Sequence, residues 1–427
     1  MLLFVYSSLI YLALPVILGR LWWRARKESA LGLGWQQRLG YLAPSVQPVI
    51  WIHAVSVGET IAAAPLVHLL RSRHPTAPIL ITAMTLTGAE RARALFGDTV
   101  DYAYVPYDYP GAIARFLKRV KPRALIIMET ELWPNIITRT HAAGVPIIVA
   151  NARLSERSAK GYRKVAWLSR ELFRKLDWVA AQASPDAERF IEAGARQGAV
   201  SVTGSIKFDV SISAGMRAAS DAERARLGAD TRPVWIAAST HEGEDAILLD
   251  AHRELLRVLP DLLLILVPRH PERFRTVARL ARDRGFSLAR RSAGESATAV
   301  QVYLADTMGE LLMLYGVADV AFIGGSLIRR GGHNPLEAAA WGIPVLSGPH
   351  VFNFADIYTR LEEGGGLVRA GSADALVAEV QTLMSNEALH RQKGRNAESV
   401  LIENQGALKR LLGGIEHLLD QGPDQRP

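Results

Sequence analysis

A chain of 427 residues with no cysteine has no disulfide framework, so its fold rests on hydrophobic cores, and its length exceeds one ordinary domain. A formal net charge of +8 favours anionic partners such as phosphorylated substrates or acidic lipid headgroups. No basic run carries the interleaved aromatics that would argue for nucleic acid, and there is no Asn-x-Ser/Thr sequon.

Met1 to Gly19 contains no charged side chain, and Arg20, Arg24, Arg26 and Lys27 follow at once. Such a run reaches the ~17–25 residues needed to cross a bilayer as a helix, and a cationic flank marks the cytoplasmic end. A secretory signal carries its charge before the apolar run and a small-residue cleavage site after it. Here the charge follows, and Leu21, Trp22 and Trp23 suit the headgroup layer instead. Residues 1–21 therefore read as an inner-membrane anchor with the body on the cytoplasmic side. Pro15 leaves open whether the segment spans or lies in the interface.

Beyond the anchor, short apolar runs alternate with helical stretches. Val49–Val55, Ile79–Met84, Leu125–Met128 and Val145–Ala150 read as buried strands, and Ile61–Leu70 as a helix. The pattern returns at Val234–Ala238, Leu262–Val267, Val320–Ile323 and Pro344–Leu346. This alternation predicts two α/β domains with parallel sheets, 22–210 and 211–427, joined near Phe208–Arg232. The last helix is the one element given the option of packing back on the first domain. In open parallel sheets ligands bind beyond the carboxyl ends of the strands, so the residues just after each strand matter most.

His53-Ala-Val-Ser56-Val-Gly58-Glu59 follows the first strand and opens a helix. Gly58 would allow close backbone approach. Glu59 falls in the first helical turn, where the dipole favours a charged carboxylate suited to general-base work. The plainer reading, that Glu59 only satisfies the helix start, is favoured by spacing alone. Glu129-Thr-Glu131-Leu-Trp133-Pro134-Asn135 follows a later strand and gathers two carboxylates and an aromatic. These groups could hold sugar hydroxyls or orient a base. Equally, one glutamate could cap the helix and Trp133 be core. Arg153, in Asn151-Ala-Arg153-Leu-Ser155, supplies a cation on the same rim.

The second half offers donors. Thr240 and His241 follow one strand and Arg269 and His270 the next; Gly324-Gly325-Ser326 and Gly331-Gly332-His333-Asn334-Pro335-Leu336-Glu337 complete the set. Glycine turns leading into helix starts expose N–H groups that suit a phosphate, although one glycine pair alone is usually just a turn. There is no Walker motif, no GxGxxG after a strand, no HExxH and no Asp-x-Asp, so a metal-bridged sugar-nucleotide site has no evident ligands.

Taken together, HAVSVGE at 53–59, ETELWPN at 129–135, NARLS at 151–155, GSIKFD at 204–209, PRHPERF at 268–274, DTMGEL at 306–311, and GGSL and GGHNPLEAA within 324–339 resemble the 3-deoxy-D-manno-octulosonic acid (Kdo) transferases of Gram-negative bacteria. The run SGPHVFNF at 347–354 resembles the family too, and the likeness covers nearly the whole chain. It implies a GT-B glycosyltransferase of two Rossmann-like domains with the active site between them. It further implies CMP-Kdo as donor, a lipid A precursor (lipid IVA) as acceptor, and inverting transfer with no metal or other cofactor. Glu59 matches the proposed catalytic base. Ser56, Glu129, Glu131 and Arg153 would stand on the acceptor side. Lys207, Thr240, His241, Arg269, His270, Gly325, Ser326, Asn334 and Glu337 would bind the donor. A hydrophobic, basic patch near Trp22, Trp23 and Trp35 would meet inner-membrane lipids. A sugar-nucleotide epimerase of similar fold is the alternative enzyme, and a membrane scaffold the non-enzymatic one.

Overall fold

Each apolar run pairs in parallel with its neighbours, and the computed structural model, which describes residues 2–27 and 34–420, contains two separate sheets. The first comprises β1 (Val49–His53), β2 (Ile79–Ala83), β3 (Asp101–Tyr104), β4 (Pro122–Met128), β5 (Ile147–Ala152), β6 (Trp178–Ala181) and β7 (Val200–Val202). Their order is β3-β2-β1-β4-β5-β6-β7, parallel throughout. The second comprises β8 (Val234–Thr240), β9 (Leu263–Pro268), β10 (Leu288–Arg290), β11 (Val302–Leu304), β12 (Val320–Ile323), β13 (Val345–Ser347) and β14 (Leu367–Arg369). It runs β10-β11-β9-β8-β12-β13-β14, again parallel.

Both sheets are doubly wound, with helices over both faces. In β1, Val49 and Trp51 enter one core with Phe116, Leu125 and Ile127, whereas Ile50 and Ile52 enter the other with Leu66 and Ile126. That is why β1 reads as a continuous apolar run rather than an alternating one. The strand order reverses between β1 and β4 in one sheet and between β8 and β12 in the other. Those reversals are the places where open α/β sheets bind ligands.

The chain forms two compact units, residues 1–207 with 405–427, and residues 208–404. From Gln405 onward the chain groups with the first unit, the packing that the domain reading allowed for the last helix. The helix Ala407–Asp420 buries Leu411 and Ile415 in the core that holds Leu66 and Leu70. Its Arg410 donates Nε to the Thr203 carbonyl at 2.8 Å, and Glu416 meets His74 at 3.2 Å. The stretch read as a bare connection contains the helix Ala214–Arg226, capped by Ser213. The N-terminal helix runs from Leu2 to Lys27, past the boundary expected at 21, and Leu3–Arg20 is long and apolar enough to cross a membrane.

Candidate functional site

The first unit builds its rim from the ends of β1 and β4. Ser56 is the N-cap of the helix Val57–Arg73; its Oγ accepts from the Glu59 backbone N–H at 3.3 Å. The same hydroxyl donates to Glu59 Oε1 at 2.6 Å, and the Val55 backbone N–H donates to Oε2 at 2.8 Å. This is a variant of the capping box: Ser56 satisfies an orphan donor of the helix start, and Glu59, three residues on, reaches back past the N-cap to the Val55 N–H. The plain reading of Glu59 is therefore structurally real. Yet the carboxyl is only 8% exposed, and burial raises its pKa, with repulsion from Glu131 and Glu129 adding to the effect. The helix start does not hold Glu59 below the ordinary carboxylate range as expected, because burial outweighs the two hydrogen bonds. A raised carboxyl at a strand-order reversal makes a stronger base once ionised. Gly58 is not sterically required: a Cβ there would come no closer than 3.8 Å, to Ser56 Oγ.

Glu129 directly follows β4 with φ of 58°, and Asn151 in β5 has φ of 52°. Left-handed backbone at a non-glycine residue costs on the order of 1–3 kcal/mol and tends to gather at functional sites. Lys207 Nζ lies 3.9 Å from Glu129 Oε1. Trp133 donates Nε1 to Glu131 at 3.0 Å and stacks edge-on against His53 at 5.5 Å. Thr130 donates its hydroxyl to the Arg153 carbonyl, tying the two rim segments together. Ser56, Glu59, Glu129, Glu131, Arg153 and Lys207 thus share one rim. His53 itself is core: it is fully buried, burial pushes its pKa down to about 3, and its Nδ1 meets Thr82 Oγ1 at 3.2 Å.

In the second unit Ser239, at the end of β8, has φ of 58°. A Cβ on Gly324 would stand 2.6 Å from the Ser239 carbonyl oxygen, so only glycine lets the turn after β12 close against β8. His241 and His333 lie parallel with their Nε2 atoms 2.8 Å apart, and His270 meets His241 edge-on at 5.3 Å. Burial pushes both His241 and His333 down to about 4; His270, Arg330, Arg273 and Arg269 add to the effect on His241. Burial raises the Glu337 carboxyl, and nearby Arg269 opposes the rise. Asn334 spends its Oδ1 on the Leu336 N–H at 3.1 Å. The result is a rim on which half-buried Arg269 supplies positive charge beside exposed His270 and a His241–His333 pair that burial keeps neutral, an arrangement that suits an anion through Arg269.

Two residues expected to touch a ligand are consumed internally. Thr240 is fully buried and donates its hydroxyl to Asp245 at 2.6 Å. Ser326 is fully buried, donates to the Ile323 carbonyl and accepts the Gly348 N–H at 2.8 Å. Both shape the rim rather than face it.

Sequence reading missed the group that organises this rim. Fully buried Glu244 accepts four backbone N–H groups: His241 at 3.0 Å, Gly325 at 2.7 Å, Ser326 at 3.0 Å and Leu327 at 2.9 Å. It locks the turn after β12 to the turn after β8. Asp245, ion-paired with Arg273, does the same for the turn after β9, since Arg273 also donates to the Thr240 carbonyl at 3.0 Å. The available signal was a run of carboxylates, Glu242, Glu244 and Asp245, at a helix start. Among the described residues, no three His, Asp or Glu side chains converge as metal ligands would.

Residues 33–210 match the family model described as 3-deoxy-D-manno-octulosonic-acid transferase (kdotransferase), and residues 290–400 match glycosyl transferases group 1. The chain is 42% identical to the 3-deoxy-D-manno-octulosonic acid transferase of Haemophilus influenzae over 98% of its own length and 99% of the relative's. It is 39% identical to the enzyme of that name from Bordetella pertussis, over 95% of this chain and 96% of that one. Among solved structures, Anabaena HepE in complex with UDP is similar with a TM-score of 0.58 at 16% identity, covering 88% of this chain and all of that one. The UDP-GlcNAc 2-epimerase of Neisseria meningitidis reaches 0.56 at 14% identity, covering 87% of this chain. At such identities the two structures show a shared GT-B-like fold and no more, so the epimerase likeness carries no activity. On the strength of the full-length relatives and the matched N-terminal model, the chain belongs to the 3-deoxy-D-manno-octulosonic acid transferase family and is a glycosyltransferase.

Proposed function

We propose that the protein transfers Kdo from CMP-Kdo to a hydroxyl of the lipid A precursor lipid IVA, with inversion and without a metal, at the cytoplasmic face of the inner membrane. The observation that carries this reading is Glu59: a buried carboxyl with raised pKa at the β1/β4 reversal, flanked by Ser56, Glu129 and Glu131. Glu59 takes the proton of the acceptor hydroxyl as that oxygen attacks the anomeric carbon. For this it must be ionised, and Ser56 and the Val55 N–H supply hydrogen bonds to the ionised form. Glu131, oriented by Trp133, and Arg153 hold the acceptor sugar.

The second unit takes the donor. Arg269, His270 and the His241–His333 pair face the phosphate and carboxylate of CMP-Kdo, and the Gly325 turn, whose N–H groups are taken up by Glu244, fixes the rim rather than donating to the ligand itself. Glu337 accepts from ribose hydroxyls. Arg269 of the second unit neutralises the departing cytidine monophosphate, the task a metal performs in other sugar-nucleotide enzymes, and Lys207, beside Glu129 in the first unit, is a further donor-binding cation. The test is mass spectrometry of lipid IVA incubated with the protein and CMP-Kdo in buffer containing EDTA. A product heavier by one Kdo residue per transfer is expected. Unchanged lipid IVA in EDTA, converted once Mg²⁺ is added, overturns the metal-independent mechanism.

A further inference from the structure

The N-terminal helix is not a free anchor leading away from the body. Leu3, Tyr6, Ser7, Ile10, Leu14, Ile17 and Leu18 are buried or half-buried along one side. On the opposite side Phe4, Leu9, Leu12 and Val16 are 60–76% exposed. At about 100° per residue these are two faces of one helix. The covered face is held by specific polar contacts. Tyr6 donates its hydroxyl to Asp108 Oδ2 at 2.9 Å, and Ser7 donates to Asn135 Oδ1 at 3.0 Å. The Gly111 N–H donates to the Tyr11 hydroxyl at 3.2 Å, and the Tyr11 and Tyr109 rings meet edge-on at 5.1 Å.

The partners are placed with equal definiteness. Asp108 accepts the Asn135 and Ile136 N–H groups at 3.1 and 2.8 Å, capping the helix Pro134–Ala142, and stands two residues before the helix Pro110–Val120. Asp108 follows β3 and Asn135 follows β4. The N-terminal helix is therefore docked on the strand-end rim that carries Glu129 and Glu131.

That contact conflicts with a helix crossing the bilayer. Ser7 and Arg20 are 13 residues apart, so with Arg20 at the lipid surface Ser7 would sit ~20 Å into a hydrocarbon layer ~30 Å thick. Asn135, and the carboxylates a few residues before it, would be drawn to similar depth, where charged groups are costly. A helix lying in the plane of the interface has no such conflict. Its exposed apolar face enters the lipid, while Trp23 at 57% exposure and exposed Arg20 and Arg26 meet headgroups.

We infer that the N-terminal helix is monotopic: docked through Tyr6, Ser7 and Tyr11, it lies along an anionic bilayer surface and holds the Glu59–Glu131 rim beside the lipid. This rests on the membrane association proposed above and not on the identity of the acceptor. A lipid-borne substrate then reaches the rim without leaving the bilayer.

The absence of native cysteine makes the test direct. Phe4→Cys and Val16→Cys are each labelled with a fluorophore in the full chain, bound to vesicles of phosphatidylethanolamine and phosphatidylglycerol, and read against lipids brominated at graded depths. The two positions are ~18 Å apart along the helix. A monotopic helix gives equal, shallow depths of about 5–10 Å for both. A crossing helix gives depths that differ by most of that separation, which overturns the inference. In parallel, the pair Ser7→Cys and Asn135→Cys is oxidised in the same vesicles. A disulfide is expected, and its absence in folded protein also overturns the docking. If the chain stays in the supernatant and neither probe is quenched, the membrane reading itself fails, and this inference with it.

Discussion

Glu59 is both a helix cap and the proposed base, and the two roles separate in one substitution. Glu59→Gln keeps the size and one acceptor oxygen for the Val55 N–H but removes the proton acceptor. Turnover should fall by about 10²–10⁴-fold while CMP affinity holds. Arg269→Ala should do the opposite, weakening CMP by roughly 1.5–3 kcal/mol for one lost charged hydrogen bond. Titrating CMP against both variants and measuring turnover distinguishes them; near-normal turnover in Glu59→Gln would move the base to Glu129 or Glu131. A second residue-scale prediction concerns His252, buried in the second unit. Its Nδ1 accepts the Trp235 N–H at 3.1 Å and its Nε2 donates to the Gln301 carbonyl at 2.9 Å, so only the neutral ring fits. Burial pushes it down to about 4 from 6.5. The folded state therefore binds fewer protons than the unfolded chain between those values. Stability is present above pH 6.5 and is lost as pH falls toward 4. The melting temperature should decline over that window, and less steeply in His252→Gln.

At the scale of the element, the turns after the strands carry the information. The turn after β12 depends on Gly324, whose Cβ would lie 2.6 and 2.8 Å from the carbonyl oxygens of Ser239 and Ala238. Backbone cannot yield as a flexible side chain can. Gly324→Ala should cost about 1–3 kcal/mol, seen as a lower melting temperature, and should weaken CMP binding because the Glu244-held turn shifts with it. A variant with unchanged stability and affinity would show the closure to be slack. The long strands were legible: β12 falls on the residues expected, β1, β2 and β9 lie within two residues at either end, and β4 starts three residues before the expected Leu125. The short ones were not. β3, Asp-Tyr-Ala-Tyr, opens with a charged residue, and β10 and β14 end in arginine. As short edge or near-edge strands their pattern is set by neighbours rather than by a continuous apolar run.

At the scale of the molecule, the chain crosses back after Asn404 to finish the first unit. A chain ending at residue 404 loses Ala407, Leu411, Leu412, Ile415 and Leu418, and uncovers Leu66 and Leu70. Each of the four leucine and isoleucine side chains contributes about 1.5–3 kcal/mol when buried, so their sum is comparable to the roughly 5–15 kcal/mol that holds an ordinary domain together. The truncated chain should lose the thermal transition of its first unit and aggregate on extraction. Unaltered melting would mean that the helix only decorates the surface.

Composition and periodicity were enough to establish two parallel α/β sheets, and the unusual clusters could be placed after strands because turn chemistry and helix starts act over a few residues. Local sequence does not say which strand becomes a neighbour. That β1 lies beside β4, bringing Glu59 to Glu129 and Glu131, and that β8 lies beside β12, bringing His241 to Gly325 and His333, depends on where distant segments return to the sheet. Burial is likewise a property of the assembled core. It turned Thr240 and Ser326 inward, made Glu244 the hub of four backbone donors and raised the Glu59 carboxyl against the pull of its helix. It also covered one face of the N-terminal helix, which by its sequence alone is an apolar segment long enough to cross a bilayer.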